Sequence, residues 1–222
     1  MIVAIDGPAA SGKSTVARAL ARRLGMGYLD TGAMYRSMAW LALKKGVQMD
    51  RESEVVALAE AHSVTLAGDA DTALTRVFVD GEDVTTAVRT PQVDSVVSAV
   101  ARIPRVRTIM VRAQREAAAK GDYVVEGRDI GTVVFPDADV KVFITADPEE
   151  RARRRTADER AAGLAPSDMD ALERLNARDA KDSSRETSPL MEADDAFLLD
   201  TSAMSVNEVV DVIVGLVEDA RP

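Results

Sequence analysis

A glycine-rich turn between an apolar run and a helical pattern is the feature that most constrains this chain. Residues 2–5 are apolar on both faces, as in a buried parallel strand, and apolar residues at helical spacing begin after the turn. The turn fits the pattern G-x-x-x-x-G-K-[ST], which indicates a phosphate-binding loop when a strand precedes it and a helix follows. Its residues are Gly7, Pro8, Ala9, Ala10, Ser11, Gly12, Lys13 and Ser14, followed by Thr15. We therefore expect a nucleoside triphosphate site directly after the first strand.

The chemistry of this loop explains the residue types. Backbone N–H groups curl around a phosphate, and the helix N-terminus adds roughly half a positive charge. Lys13 reaches the β- and γ-phosphate oxygens, and Ser14 can bind Mg²⁺. A glycine turn that only caps a helix is the alternative. A GTPase would carry an N-K-x-D motif, which does not occur, and 222 residues are too few for a motor with its polymer track.

Composition excludes several other functions. The net charge is −9, which opposes nonspecific binding to nucleic acid or anionic lipid, so a phosphate ligand needs a local arginine cluster. There is no cysteine, hence no disulfide, thiolate nucleophile or cysteine-based zinc site. The only histidine, His62, opens a β-like run, and we expect it to be structural.

The first residues lack the features of a secretory signal, and no stretch approaches the ~18 apolar residues of a membrane span, so we expect a cytoplasmic protein.

The order of predicted elements indicates the fold class. After the first strand, apolar runs predict further strands at 27–29, 123–125, 140–144 and 196–199, alternating with helices. This alternation predicts an α/β fold: a five-stranded parallel sheet with the phosphate-binding loop, covered by helices on both faces, with ligands beyond the carboxyl ends of the strands.

Two regions depart from this alternation. Residues 62–84 alternate in a β pattern with turn signals at Gly68-Asp69 and Asp80-Gly81, which predicts an antiparallel insert. Residues 151–185 are strongly charged and are interrupted by Gly163 and Pro166, as in a mobile helical lid. We expect a core of about 1–36, 85–150 and 186–222, an inserted lobe of about 37–100 that contains the β insert, and a lid of about 151–185.

Arginines and acids cluster in four further segments. Tyr35 and Arg36 follow the second strand, and Glu126, Arg128 and Asp129 end the third. Arg107 lies in a helix that begins at Pro104, off its apolar stripe, where a solvated surface charge is an equally good interpretation. Arg178, Asp182 and Arg185 have the spacing i, i+4 and i+7, so they share one face if helical. A salt-bridged, exposed helix is the alternative.

Taken in order, the segments GPAASGKST, LDTGAMYR, PRVR, EGRDIGTVVFPDA and RDAKDSSR resemble the bacterial cytidylate kinases of the long form. The resemblance runs from Ile2 to the last helix, and the β insert is typical of that form. It implies transfer of the γ-phosphoryl group of Mg·ATP to CMP or dCMP by a monomeric enzyme that needs neither nucleic acid nor a membrane.

The resemblance also implies roles for individual residues. Arg36, Arg128 and Arg185 would hold the phosphate of CMP and, with Lys13, supply the catalytic charge, while Arg178 and Asp182 would reach its ribose. Ser98, Arg107 and Asp129 would read cytosine, with Tyr35 beside them. A carboxylate accepts from the N4 amino group and the other two can donate to O2 and N3, whereas uracil presents N3–H and O4.

The remaining implied roles concern ATP and the metal. Arg151, Arg154 and Arg155 would cover ATP, although Arg153 makes the register ambiguous, and Thr201 and Ser202 would lie near adenine. Ser14 and Glu126 would hold Mg²⁺, where several relatives carry Asp instead of Glu126. Alternatives are a kinase acting on UMP, AMP or a small metabolite such as shikimate, and a nucleotide sensor without catalysis.

Overall fold

The fold is built around one parallel sheet. The computed structural model describes residues 1–68, 75–119, 121–161, 163 and 166–221. Within these ranges the strands are β1 (Ile2–Asp6), β2 (Gly27–Asp30), β3 (Val64–Gly68), β4 (Thr75–Val79), β5 (Glu82–Asp83), β6 (Tyr123–Glu126), β7 (Val140–Thr145) and β8 (Phe197–Asp200). The α-helices are α1 (Lys13–Leu24), α2 (Thr31–Lys44), α3 (Glu52–Ala61), α4 (Pro91–Ala101), α5 (Pro104–Ala118), α6 (Pro148–Ala161), α7 (Asp168–Ser183) and α8 (Val206–Asp219). A 3₁₀ turn (Ala87–Arg89) and a π-helical turn (Ile130–Val134) complete the helical elements described.

The main sheet has the strand order β2-β6-β1-β7-β8, and each neighbouring pair is parallel. All five strands predicted from the sequence are present, so the predicted α/β fold is confirmed. β1 lies in the middle, and the chain passes from β6 on one side of it to β7 on the other. A sheet of this kind opens a crevice beyond its carboxyl ends where the strand order changes direction.

Helices cover both faces of the sheet. On one face, Leu20 of α1 and Ile213 of α8 pack in a buried cluster with Val3 of β1. On the other face, Val125 of β6 packs against Ile130 of the π-helical turn. Each such fully buried aliphatic side chain contributes ~1.5–3 kcal/mol. Both faces of the central strands are therefore apolar because both are buried, as the unbroken apolar runs predict.

The β-rich insert predicted between His62 and Val84 is present. β3, β4 and β5 form a separate antiparallel sheet, in which Val64 pairs with Val79. This sheet packs on α2 to α5 around a second apolar cluster. His62 follows α3 and its ring contacts Asp80. Asp69 of the predicted Gly68-Asp69 turn lies outside the described residues.

The charged region contains two helices, α6 and α7, and Gly163 lies between them with a positive φ of 82°. The condition for Arg178, Asp182 and Arg185 to share one helical face is not met, because α7 ends at Ser183 and Arg185 follows it. Across the described ranges, no helix is both long and apolar enough to span a bilayer.

We predict that Gly7→Ala costs far more stability than Gly25→Ala. Both glycines have positive φ, at 146° and 66°. A Cβ on Gly7 would lie 2.0 Å from the Ile144 carbonyl oxygen, whereas a Cβ on Gly25 would meet nothing within 4 Å. Backbone strain alone costs ~1–2 kcal/mol, and the clash at Gly7 adds ~1–3 kcal/mol. Urea unfolding of both variants checks this, and equal losses of unfolding free energy would contradict it.

Candidate functional site

A continuous cavity of about 1510 Å³ lies beyond the carboxyl ends of the main sheet. Most residues that the sequence marks as candidates line it, although they come from distant stretches of the chain. The exceptions are Gly7, Pro8, Arg151 and Ser202, which do not contribute to the lining. The loop after β1, the carboxyl end of β6, and the helices α2, α4, α5, α6 and α7 thus face one space.

The glycine-rich loop joins β1 to α1, and the side chain of Lys13 is buried beneath it. The Lys13 ammonium donates to the Pro8 carbonyl oxygen at 2.5 Å and to Ser11 Oγ at 3.3 Å. Burial and the nearby Arg128 lower the pKa of Lys13 well below its usual value, against the opposing effect of Glu126. A phosphate anion in the loop would favour the charged form, so Lys13 is poised to bind one.

A carboxylate and a hydroxyl meet beside this loop. Ser14 Oγ donates to Glu126 Oε2 at 2.8 Å, and the Tyr28 hydroxyl donates to the other carboxylate oxygen. Burial and the neighbouring Asp30 raise the pKa of Glu126. Carboxylate and hydroxyl oxygens are ligands that Mg²⁺ prefers, so this pair suits a magnesium ion bound together with a nucleotide phosphate. Tyr28 was not marked by the sequence.

Asp182 gathers one group of candidate side chains. Arg128 donates from Nε to its carboxylate at 3.1 Å, Ser98 Oγ donates at 3.2 Å, and Arg185 also donates to it. The Asp182 side chain is only 2% exposed, and these three donors come from different elements. This carboxylate therefore holds two of the predicted acceptor arginines, Arg128 and Arg185, next to each other, although they are 57 residues apart in the chain.

Asp94 on α4 lies among a second group of candidate arginines. It was not predicted from the sequence. Arg36 donates to its Oδ1 at 3.1 Å and Arg155 to its Oδ2 at 2.9 Å, while Arg178 lies 4.0 Å away. Burial raises the pKa of Asp94, but these arginines outweigh it and hold that pKa below its usual value. Its position on α4, one turn before Ser98, carries no motif that marks it.

Arg107 and Asp129 form a buried pair in the wall of the cavity. The interpretation of Arg107 as a solvated surface charge is wrong, because the residue is only 3% exposed. Its guanidinium also donates to the Ala101 carbonyl oxygen at 3.1 Å and lies 5.3 Å from the centre of the Tyr35 ring. Burial raises the pKa of Tyr35 to about 12, so its hydroxyl stays protonated. A base that enters here meets a donor, an acceptor and an aromatic face.

The backbone beside Asp129 is held by Asp6 at the end of β1. The Asp6 carboxylate accepts from the N–H groups of Ile130 and Gly131, both at 2.8 Å. These contacts fix the start of the π-helical turn, which directly follows Asp129. Burial raises the pKa of Asp6 to about 6, against the opposing effect of the two N–H donors.

The four arginines at the start of the predicted lid, between residues 151 and 155, occupy different places. Arg154 donates to the backbone oxygens of Ser11 at 3.1 Å and Thr201 at 2.7 Å, so it joins the loop to the turn after β8. Arg155 faces Asp94 across the cavity, and Arg153 is exposed and pairs with Glu150.

Arg151 lies deeper than the other lid arginines. It donates to the Ala9 carbonyl oxygen at 3.2 Å and to Asp179, whose carboxylate accepts from the Ala9 N–H at 3.0 Å. Asp179, whose role was not predicted from the sequence, thus joins α7 to the loop. Of the two residues expected near adenine, Thr201 contacts the loop through the Ser11 carbonyl, and Ser202 instead bonds Asp200 at 2.6 Å.

Comparison with known proteins identifies relatives over nearly the whole chain. A family model described as cytidylate kinase matches residues 3–219. A cytidylate kinase from Pelotomaculum thermopropionicum is 49% identical over 219 residues, which cover 99% of this chain and 96% of that protein. A cytidylate kinase from Desulfitobacterium hafniense is 48% identical over 217 residues, which cover 98% of this chain and 92% of that protein.

A solved structure shares the fold at much lower sequence identity. An uncharacterized protein from Eubacterium ventriosum matches with a TM-score of 0.53 over 98% of both chains, at 13% identity. At that identity the match shows the architecture alone.

We predict that Asp179→Asn lowers the free energy of unfolding by ~2–3 kcal/mol, because it leaves the buried Arg151 guanidinium without its counter-charge. The matched control is Glu116→Gln, which makes the same change at a salt bridge with Arg112 whose side chains are 82% and 64% exposed. That variant should change stability by less than about 0.5 kcal/mol. Urea unfolding measures both. Equal effects would contradict the structural role of Asp179.

Proposed function

The chain belongs to the cytidylate kinase family, and from that premise we propose that its cavity binds ATP and CMP or dCMP with their phosphates facing each other. The activity is that of an ATP-dependent nucleoside monophosphate kinase, which transfers a phosphoryl group to CMP or dCMP. The observation that best supports the proposed arrangement is the gathering of Arg36, Arg128 and Arg185 at one cavity that also contains Lys13. These residues are scattered over most of the chain.

On this proposal the donor nucleotide lies along the glycine-rich loop. The loop N–H groups and Lys13 bind the phosphates of ATP, and Arg154 and Arg155 cover them from the lid. Arg151 supports the loop through its contact with the Ala9 carbonyl oxygen. The contact of Arg154 with the Thr201 backbone extends the donor site towards β8, where adenine is expected.

Ser14 and Glu126 are the residues that would hold Mg²⁺. They already share a hydrogen bond at 2.8 Å, and Tyr28 fixes the second oxygen of the carboxylate. When bound, Mg²⁺ neutralises charge on the donor phosphates. The raised pKa of Glu126 falls again when a cation lies beside it, since an opposite charge favours the ionised form.

The acceptor phosphate is proposed to bind to Arg36, Arg128 and Arg185. Each of these guanidiniums contacts Asp94 or Asp182, so each is held at the cavity before substrate arrives. Arg178 and Asp182 on α7 lie next to them, where the ribose hydroxyls are expected. A guanidinium offers donors in a fixed fork that matches phosphate oxygens, which suits this role better than a lysine would.

The base site is proposed to consist of Ser98, Arg107 and Asp129, with Tyr35 beside them. Asp129 accepts from the cytosine N4 amino group, and a donor faces O2 or N3. Uracil reverses two of these partners, and each buried mismatch costs ~1–3 kcal/mol. Discrimination against UMP should therefore be real but finite.

Phosphoryl transfer between two bound nucleotides depends on alignment and charge neutralisation more than on proton transfer. The chain supplies both with its lysine and arginines, which is compatible with a sequence that has one histidine and no cysteine. In this mechanism Lys13 balances charge on the phosphoryl group that is transferred, while Arg128 and Arg185 hold the acceptor phosphate oxygen in line with it. The lid closes only when both substrates are bound, so the charged groups do not assemble around ATP while water occupies the place of the acceptor.

The division of the chain follows from these roles. We propose that residues 1–36, 85–150 and 186–222 form the core, that about 37–100 form the monophosphate-binding insert, and that about 151–185 form the lid. A monomeric state and a cytoplasmic location stay predictions from the sequence.

The proposed function is tested with purified protein, Mg·ATP and one nucleoside monophosphate at a time. We expect ADP to form rapidly with CMP and dCMP, and kcat/KM to be roughly 10- to 100-fold lower with UMP. ADP formation without an acceptor should be slow, since an incomplete site does not close. Equal activity with AMP or UMP would contradict the base assignment, and fast ATP hydrolysis without CMP would contradict the role of the lid.

A second prediction concerns the acceptor arginines. Arg128→Ala removes a charged donor from the acceptor phosphate, so kcat and CMP affinity should fall together, with kcat lower by ~100-fold. The matched control is Arg153→Ala on the lid, an exposed arginine that pairs only with Glu150 among the described residues. Its steady-state kinetics should equal those of the wild type. Unchanged kinetics for Arg128→Ala would remove Arg128 from the site.

A further inference from the structure

Asp94 occupies an unusual place for an acid in a site for anions. Its carboxylate lies among three guanidiniums that come from three helices: Arg36 of α2, Arg155 of α6 and Arg178 of α7. The side chain is 19% exposed and lines the cavity. No role follows for it from the family motifs in the sequence, since it lies outside all of them.

We propose that Asp94 is a positioning residue that holds the acceptor-phosphate arginine Arg36 and the lid arginine Arg155 in place, by acting as an internal stand-in for the acceptor phosphate. The proposal rests on the proposed function, because it needs a phosphate to compete with the carboxylate. It assigns the same residue two opposite effects, one on turnover and one on affinity.

The positioning effect comes from geometry. Arg36 and Arg155 bond different oxygens of one carboxylate, at 3.1 Å and 2.9 Å, so their guanidiniums are held at a fixed separation. Arg36 belongs to the acceptor side and Arg155 to the lid. The carboxylate thus links the acceptor site to the closed position of the lid, and its loss should lower turnover.

The affinity effect comes from charge. Like charges repel, and the arginines around Asp94 need a counter-charge when no phosphate is bound. Burial together with Arg128 and Arg36 lowers the pKa of Arg178 to about 10, because burial and neighbouring positive charges disfavour its charged form. An arriving phosphate supplies the same negative charge and must compete with Asp94 for the same donors. Removal of the carboxylate charge should therefore strengthen the phosphate-dependent part of binding.

The test compares CMP with cytidine, which has the same base and ribose but no phosphate. For Asp94→Asn, we expect the ratio of CMP affinity to cytidine affinity, measured by calorimetry, to rise roughly threefold to tenfold. The kcat for CMP should fall by ~10-fold, because the lid arginine is no longer aligned. Asp94→Glu keeps the charge and should restore the wild-type affinity ratio. If Asp94→Asn does not fold, Asp94→Ala removes the same charge and carries the same expectation.

The matched control is Asp219→Asn, which removes one negative charge at an exposed position on α8 that does not line the cavity. Its affinity ratio and kcat should equal those of the wild type. A parallel loss of CMP and cytidine affinity in Asp94→Asn would indicate a structural role and would overturn the proposal. An unchanged or lower ratio would overturn it as well. Failure of the wild-type protein to phosphorylate CMP would instead refute the proposed function, so the two failures are distinguishable.

Discussion

The repulsion between guanidinium groups is the constraint on which the organisation of this site depends. A cavity that binds two nucleotide phosphates needs several arginines within reach of each other, and partial burial strengthens their repulsion. Carboxylates placed between the arginines offset this repulsion. Asp182 lies between Arg128 and Arg185, and Asp94 lies between Arg36 and Arg155. The acids are therefore as much part of the proposed phosphate site as the arginines are.

These carboxylates work only because the backbone that carries their partners is itself fixed. Thr31 Oγ1 donates to the Glu126 carbonyl oxygen at 2.7 Å, which joins the end of β2 to the end of β6. Asp6, at the end of β1, binds two backbone N–H groups after Asp129. The carboxyl ends of three strands are thus connected by side chain to backbone hydrogen bonds. Because the strand ends are fixed, Arg128 and Asp129 enter the cavity from a rigid edge rather than from a free loop.

The sequence predicts the parts of this arrangement that local chemistry determines. The strand–turn–helix pattern around Lys13 and the apolar runs of the parallel strands are local signals, so the sheet and the phosphate-binding loop were predicted correctly. Asp94 and Asp179 were missed because their roles arise from contacts with residues 58 and 170 positions away. The burial of Arg107 could not be predicted for the same reason. Helical periodicity identifies the apolar face of the helix, but it does not show that the buried acid Asp129 lies next to Arg107.

The proposed lid, which contains α6 and α7, is held by contacts of unequal strength along its length. At the Arg155 edge the contact with Asp94 is polar and partly exposed, and such ion pairs contribute at most ~1 kcal/mol. Near Arg151, by contrast, Ala152, Ala171 and Leu175 pack on Ala9 in a small apolar cluster, beside the ion pair of Arg151 with Asp179. Separation there would expose apolar surface and leave a buried charge without its partner. Opening at the Arg155 edge requires less free energy than opening near Arg151, because water and an incoming phosphate replace the contacts that are broken. The same ion pairs that align the arginines therefore also leave the proposed acceptor side of the cavity easier to open than the region around Arg151.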